Sequence, residues 1–249
     1  MGASSDSFGE LASSLAARFS IVAPDLPGHA RTRTPSSFQP SRANCARAVA
    51  DLVGALELRP SMIVGHSAGA ALAVTMTAGG MVAPKLIVGL APALRPLTGV
   101  ARALFPRSAR LFAHASTWID MHVRDPRWVA LALRSTGSVV PPSRAADYER
   151  LFADGRHVSG VLATLARWEL DGLERDLDRL KVPLIVLAGE HDRAVTAAQL
   201  RSLAVRTPGM ELDVVADAGH LLHEERPGAI ADRIATAYER KGSDHVQRL

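Results

Sequence analysis

An apolar run at residues 61–64 (SMIV) passes without a break into Gly65-His66-Ser67-Ala68-Gly69, and residues 70–77 (AALAVTMT) follow before Gly79-Gly80. The short run bounded by glycine predicts a buried strand, and the alanine-rich stretch predicts a helix that the glycine pair stops. Strand, sharp turn and helix with serine at the turn describe a nucleophile elbow, a strained bend that lifts the hydroxyl out at the end of a sheet. Glycine at 65 and 69 is expected because a side chain at either would collide with the neighbouring strand or helix. The helix opening after Ser67 aims backbone N–H groups, Ala68 first, at an anionic intermediate. By itself G-x-S-x-G is a weak signal, since its residues are common, so the rest of the chain must decide.

That rest alternates short β-branched or apolar runs with helical patterns, the signature of parallel strands joined by helical crossovers. Phe8, Leu11 and Leu15 mark a first helix, and residues 19–23 (FSIVA) predict a strand ending at Pro24-Asp25. After a loop punctuated by Gly28, Pro35 and Pro40, Ser41 caps a helix that carries Cys45, Val49, Leu52, Val53 and Leu56 on one stripe to Leu58. Residues 86–90 (LIVGL), 182–188 (VPLIVLA) and 211–215 (ELDVV) are further strands, with helices expected over 197–204 and 227–241. The sheet pattern lapses between 93 and 179, which reads as a helical cap inserted into a core formed by residues 1–92 and 180–249.

Two loops supply context for the elbow. Asp192 closes Gly189-Glu190-His191-Asp192 after one strand, and His220 closes Asp217-Ala218-Gly219-His220 after the next. Serine, acid and base therefore come in chain order, each at a strand end, and Ser67, Asp192 and His220 form a candidate catalytic triad with Ala68 N–H as an oxyanion donor. Other histidines read as structural. His66 points away from the nucleophile in such an elbow and makes a structural hydrogen bond, and His29 staples its loop. His191, His220 and His223 could be imagined around zinc, but no cysteine or H-E-x-x-H pattern supports them, so no metal and no cofactor is expected.

Composition excludes several classes. A chain of 249 residues, 47% hydrophobic, can bury a sizeable core. Its best membrane candidate, residues 81–94, is broken by Lys85 and two prolines and falls short of the roughly 18 apolar residues of a span. Residues 1–10 carry neither a secretory nor a transit pattern, so the cytoplasm is expected. Cys45, the sole cysteine, excludes a disulfide framework and reads as a small core residue. The sequence pI of about 9.8 comes from one segment: residues 93–144 hold eight arginines against two aspartates, leaving a net −2 on the remainder of a +4 chain. Without interleaved aromatics or a reader motif this excludes nucleic acid as a partner. Arg95, Leu97, Leu104 and Phe105 are instead candidates for accepting a large apolar anion, since arginine pairs well with carboxylates, and a basic cap also suits peripheral contact with a membrane surface.

APDLPGHARTRTP (residues 23–35), VGHSAG, LAGEHDRAV and DAGHLLHEERP resemble the alpha/beta-hydrolase superfamily in type and order over nearly the whole chain. In the cap, Pro92-Ala-Leu-Arg-Pro-Leu, Leu104-Phe-Pro-Arg, Arg134-Ser-Thr-Gly-Ser138, Tyr148-Glu-Arg-Leu-Phe, His157-Val-Ser-Gly and Trp168-Glu-Leu-Asp171 resemble the BchO-type magnesium chelatase accessory proteins of bacteriochlorophyll biosynthesis. The resemblance implies an α/β fold with a mostly parallel sheet, flanking helices and a helical cap. It also implies two functions to separate: a serine hydrolase acting on a small-molecule ester or thioester, or a non-catalytic accessory protein that binds a tetrapyrrole or the chelatase. Serine rather than aspartate at the elbow argues against dehalogenase or epoxide-hydrolase chemistry. Members of the family carry three strands and a His-Gly oxyanion loop ahead of the segment that begins here at Gly2, so the resemblance implies an N-terminal truncation, with Met1 expected near the second oxyanion donor's position. The missing third strand is expected to leave a gap between residues 19–23 and 61–64, at about 1 to 3 kcal/mol for each buried unpaired backbone group.

Overall fold

The structure is a computed structural model and describes residues 1–95 and 125–244. Four strands form one parallel sheet in the order β1 (Met62–His66), β2 (Leu86–Leu90), β3 (Leu184–Gly189), β4 (Met210–Val215). Val64 stands opposite Val88, and Ile185 pairs with both Val88 and Glu211. Every residue of β2 and β3 is buried, as expected of central parallel strands covered on both faces.

Alternation along the strands sorts the core into two layers. Leu86, Val88, Leu90, Ile185 and Leu187 face α1 (Gly9–Leu15) and the C-terminal helix (Pro227–Asp244), where Leu11, Leu15, Ile230 and Ile234 meet them. Ile87, Leu184, Val186 and Ala188 face α3 (Ala68–Ala78), joined there by Leu200 and Leu203. Ala70, Ala71 and Ala73 are fully buried on α3, and such small side chains bring the helix down close to the sheet. Before it, α2 (Arg42–Ala55) is capped by Ser41, whose hydroxyl accepts the Asn44 N–H, and Cys45 is buried against Leu72 and Met76. Leu52 and Leu56, expected on that stripe, are exposed.

Four described helices lie between β2 and β3: α4 (Pro126–Ser135), α5 (Pro142–Ala153), α6 (Gly155–Ala166) and α7 (Leu173–Asp178). Val129 of α4 and Tyr148 of α5 seat them on Leu221. The Arg42 guanidinium ties α2 to α7 through Asp176 (2.8 Å) and to α3 through the Thr75 hydroxyl. Then follow α8 (Ala197–Ala204), with a capping box at Thr196 and Gln199, the short α9 (Leu222–Glu225), and α10 (Pro227–Asp244).

Two expectations are corrected. Residues 19–23 form no strand, and Ile21 and Val22 are exposed. A strand exists only by pairing, and this segment pairs with none of the four described strands; β1 pairs with β2 alone. The unpaired backbone of residues 20–23 faces water, so the cost expected for buried orphan groups does not fall on it. Gly69 is the other correction: a Cβ there would meet nothing within 4 Å, whereas at Gly65 it would lie 2.5 Å from Ala70 N. Close approach of strand and helix explains the first glycine of the motif and not the last.

Candidate active site

The end of β2 holds the elbow in place. Ser67 N–H donates to Leu90 O (2.9 Å), and Ser67 O accepts from Ala93 N–H (3.1 Å). Between these ties Ser67 adopts φ +50°, ψ −114°, a region L-residues avoid and worth about 1 to 3 kcal/mol of stored strain. Ala68 opens α3, so its N–H is among the first of the helix and has no intrahelical acceptor.

Asp192 is buried in the loop after β3. Its Oδ1 accepts the N–H groups of Ala194 and Val195 (both 2.8 Å), while Oδ2 accepts from His220 Nδ1 (2.8 Å). That bond places the proton on Nδ1 and leaves Nε2 as the ring's free acceptor. The His220 loop is pinned three ways: Gly219 N–H donates to the Glu225 carboxylate (3.1 Å), Leu221 N–H to Ser138 Oγ (2.9 Å), and His66 Nε2–H to His220 O (2.9 Å). The Asp192 and His220 loops also interlock through their backbones, His191 N–H donating to Ala218 O (2.8 Å). A Cβ on Gly189 would lie 2.1 Å from Gly219 O, one on Gly219 2.4 Å from Gly137 O, and one on Gly137 1.9 Å from His191 O.

The fold thus joins Asp192 to His220 directly and sets the elbow beside them through the His66 ring, 4.8 Å from that of His220. Among the described residues the Ser67 hydroxyl makes no hydrogen bond. A cavity of about 520 Å³ opens on His220, walled by Trp128, Val129, Leu133, Phe152 and Leu221, with Met1, Gly2 and Ala3 in the same wall. Arg95 reaches Ser202 (3.5 Å) and lines neither described cavity, and Leu97, Leu104 and Phe105 lie outside the described residues.

Behind His220 lies a buried polar group that the sequence reading passed over. Tyr148 O–H donates to Glu224 Oε1 (2.7 Å), and His223 Nε2 stands 3.7 Å from the same oxygen. Burial pushes the Glu224 carboxyl up to about 7 and the His223 imidazole down to about 3, so both groups favour their neutral forms and the contact is no ion pair at mildly acid pH. Burial likewise lowers His66 well below its ordinary range, with His223 and His220 adding to the effect. His29 donates from Nδ1 to Pro27 O (3.2 Å), the expected loop staple. Among the described residues the metal-ligating side chains that converge are Glu190, His191 and Asp217, all exposed; His191, His220 and His223 do not.

The sequence profile of the alpha/beta hydrolase family matches residues 1–233. The chain belongs to that family. It is 34% identical over 227 residues to the magnesium-chelatase 30 kDa subunit of Rhodobacter capsulatus, a match spanning 90% of this chain and 79% of that protein. An uncharacterized hydrolase of Bacillus subtilis, YugF, is 23% identical over 88% of the chain and 80% of its own length. Among solved structures, a putative lipase from Acinetobacter baumannii superposes with a TM-score of 0.78 at 17% identity, over 98% of this chain and 82% of that one. An epoxide hydrolase gives 0.75 at 19% identity, over 96% and 88%. At these identities the structural likeness establishes the fold, and no described helix is long and apolar enough to cross a membrane.

Proposed function

We propose that the chain is a serine hydrolase of small-molecule esters or thioesters, with residues 93–179 capping a core of residues 1–92 and 180–249. The observation that carries the reading is the 2.8 Å bond from His220 Nδ1 to buried Asp192, beside a serine held at positive φ. His220 Nε2 takes the Ser67 proton as the serine oxygen adds to the carbonyl carbon, and the oxyanion rests on Ala68 N–H. The leaving alcohol or thiol receives that proton, and water, deprotonated by His220, releases the acid and restores Ser67. Because Trp128, Val129, Leu133 and Phe152 wall the cavity, the group beside the scissile bond is apolar.

Similarity to the magnesium-chelatase 30 kDa subunit favours a second reading, an accessory protein that binds the chelatase or a tetrapyrrole without turnover. Fluorophosphonate labelling separates the two. Labelling that disappears in Ser67→Ala establishes an activated nucleophile; a folded chain that stays unlabelled overturns the hydrolase reading and leaves the accessory role.

A further inference from the structure

A second, larger cleft of about 1310 Å³ shares Tyr148 with the His220 cavity but has a different character. Arg31, Arg33, Arg144, Arg150 and Arg156 line it, drawn from the loop after residue 30 and from α5 and α6. Three of the five are held only loosely. Arg31 pairs with Asp6 (3.2 Å), Arg150 with Asp147 and Arg156 with Asp154 (3.0 Å), and each of these guanidinium side chains is more than 70% exposed. Exposed pairs of this kind contribute about 0 to 1 kcal/mol, so a ligand oxyanion can replace or join the aspartate at little cost. Arg33 has no acidic partner among the described residues.

At the base of the cleft is Glu224, 3% exposed, whose Oε1 is taken by the Tyr148 hydroxyl while Oε2 has no hydrogen-bond partner. A buried polar atom left unpaired is costly, and a ligand group that hydrogen-bonded to it would offset that cost. With its carboxyl pushed up to about 7 by burial, Glu224 carries a proton near neutrality that an oxyanion can accept. Three aspartates in the wall then face five arginines, an excess of two positive charges.

We propose that this cleft binds a small molecule bearing two or more oxyanion groups, carboxylates or phosphates, held by the arginine rim and by Glu224. Guanidinium forks match both groups bidentately, and the site stands whether or not Ser67 is a nucleophile. The test is calorimetric titration of the full chain at low ionic strength with citrate and with inorganic pyrophosphate, against sodium chloride at equal ionic strength. Saturable binding of either probe is expected, weakened at least about tenfold in the double variant Arg33→Gln/Arg156→Gln, with Glu224→Leu, which removes the donor, also weakened. Tighter binding of citrate assigns a carboxylate ligand, and tighter binding of pyrophosphate a phosphate one. Arg33 and Arg156 are exposed, so circular dichroism of the double variant should match the parent chain. No saturable heat with either probe, or affinity unchanged in the double variant, overturns the proposal.

Discussion

His66 donates from Nε2 to the backbone carbonyl of His220 (2.9 Å), so the residue before the elbow serine positions the loop of the proposed base. Replacing it by alanine leaves that carbonyl without its donor. His66→Ala is expected to lower stability by about 1 to 3 kcal/mol in urea denaturation and to slow fluorophosphonate labelling of Ser67. His66→Gln, which brings a donor N–H to similar reach, should recover most of the labelling rate; equal rates in the two variants would rule out the positioning role.

Asp192→Asn keeps the size of the side chain but turns a donor toward His220 Nδ1, which forces the imidazole into the wrong tautomer. Ester turnover should fall by about 10⁴-fold, the scale seen when the acid of a serine triad is made an amide, with little change in the far-ultraviolet spectrum. Steady-state hydrolysis of a nitrophenyl ester measures it. Turnover within a few-fold of the parent would mean that Asp192 does not orient the base.

Gly137 stands at φ +83° with the His191 carbonyl where its Cβ would be, 1.9 Å away. Gly137→Ala must move the turn that braces both loops and should cost more than about 2 kcal/mol, the combined effect of backbone strain and overpacking. Gly228, in the first turn of α10, meets nothing within 4 Å, so Gly228→Ala should be neutral or add about 0.4 to 1 kcal/mol. Urea midpoints of the pair test the contrast directly.

Stability should respond to pH through two buried groups of opposite sign. His223, lowered from 6.5 to about 3, stays neutral in the folded chain while the unfolded chain takes up a proton. Its contribution is complete above pH 6.5 and is lost as pH falls toward 3, about 2 kcal/mol of it between 6.5 and 5. Glu224, raised from 4.5 to about 7, holds in the folded chain a proton that the unfolded chain releases. Its contribution is complete below pH 4.5 and is lost as pH rises through 7. Unfolding at pH 5, 6.5 and 8 should show His223→Leu losing less stability than the parent toward pH 5, and Glu224→Gln losing less toward pH 8.

Much of the site was legible because its parts obey local rules. The elbow needs a strand, a glycine where Ala70 comes close and a helix start, and all three fall within a few residues. Asp192 and His220 were legible for the same reason, each a few residues past a strand end. Residues 19–23 carry a strand composition that the fold does not use, because pairing depends on a neighbour that local pattern does not specify. Tyr148 and Glu224, 76 residues apart, and Ser138 and Leu221, 83 apart, left no local mark beyond the Arg134-to-Ser138 and Tyr148-to-Phe152 strings that carried the cap resemblance.

From sequence alone came the α/β class, the order of strands and helices, the family and the three candidate triad residues, since apolar periodicity and turn chemistry act over a few residues at a time. Only the tertiary structure decided that Asp192 and His220 meet, that His66 pins the base loop, that Glu224 is buried beside Tyr148, and that arginines from three separate segments face one cleft. Each of these depends on distances closed by packing between remote parts of the chain, and burial, which shifts the His223 and Glu224 protons, exists only once that packing is complete.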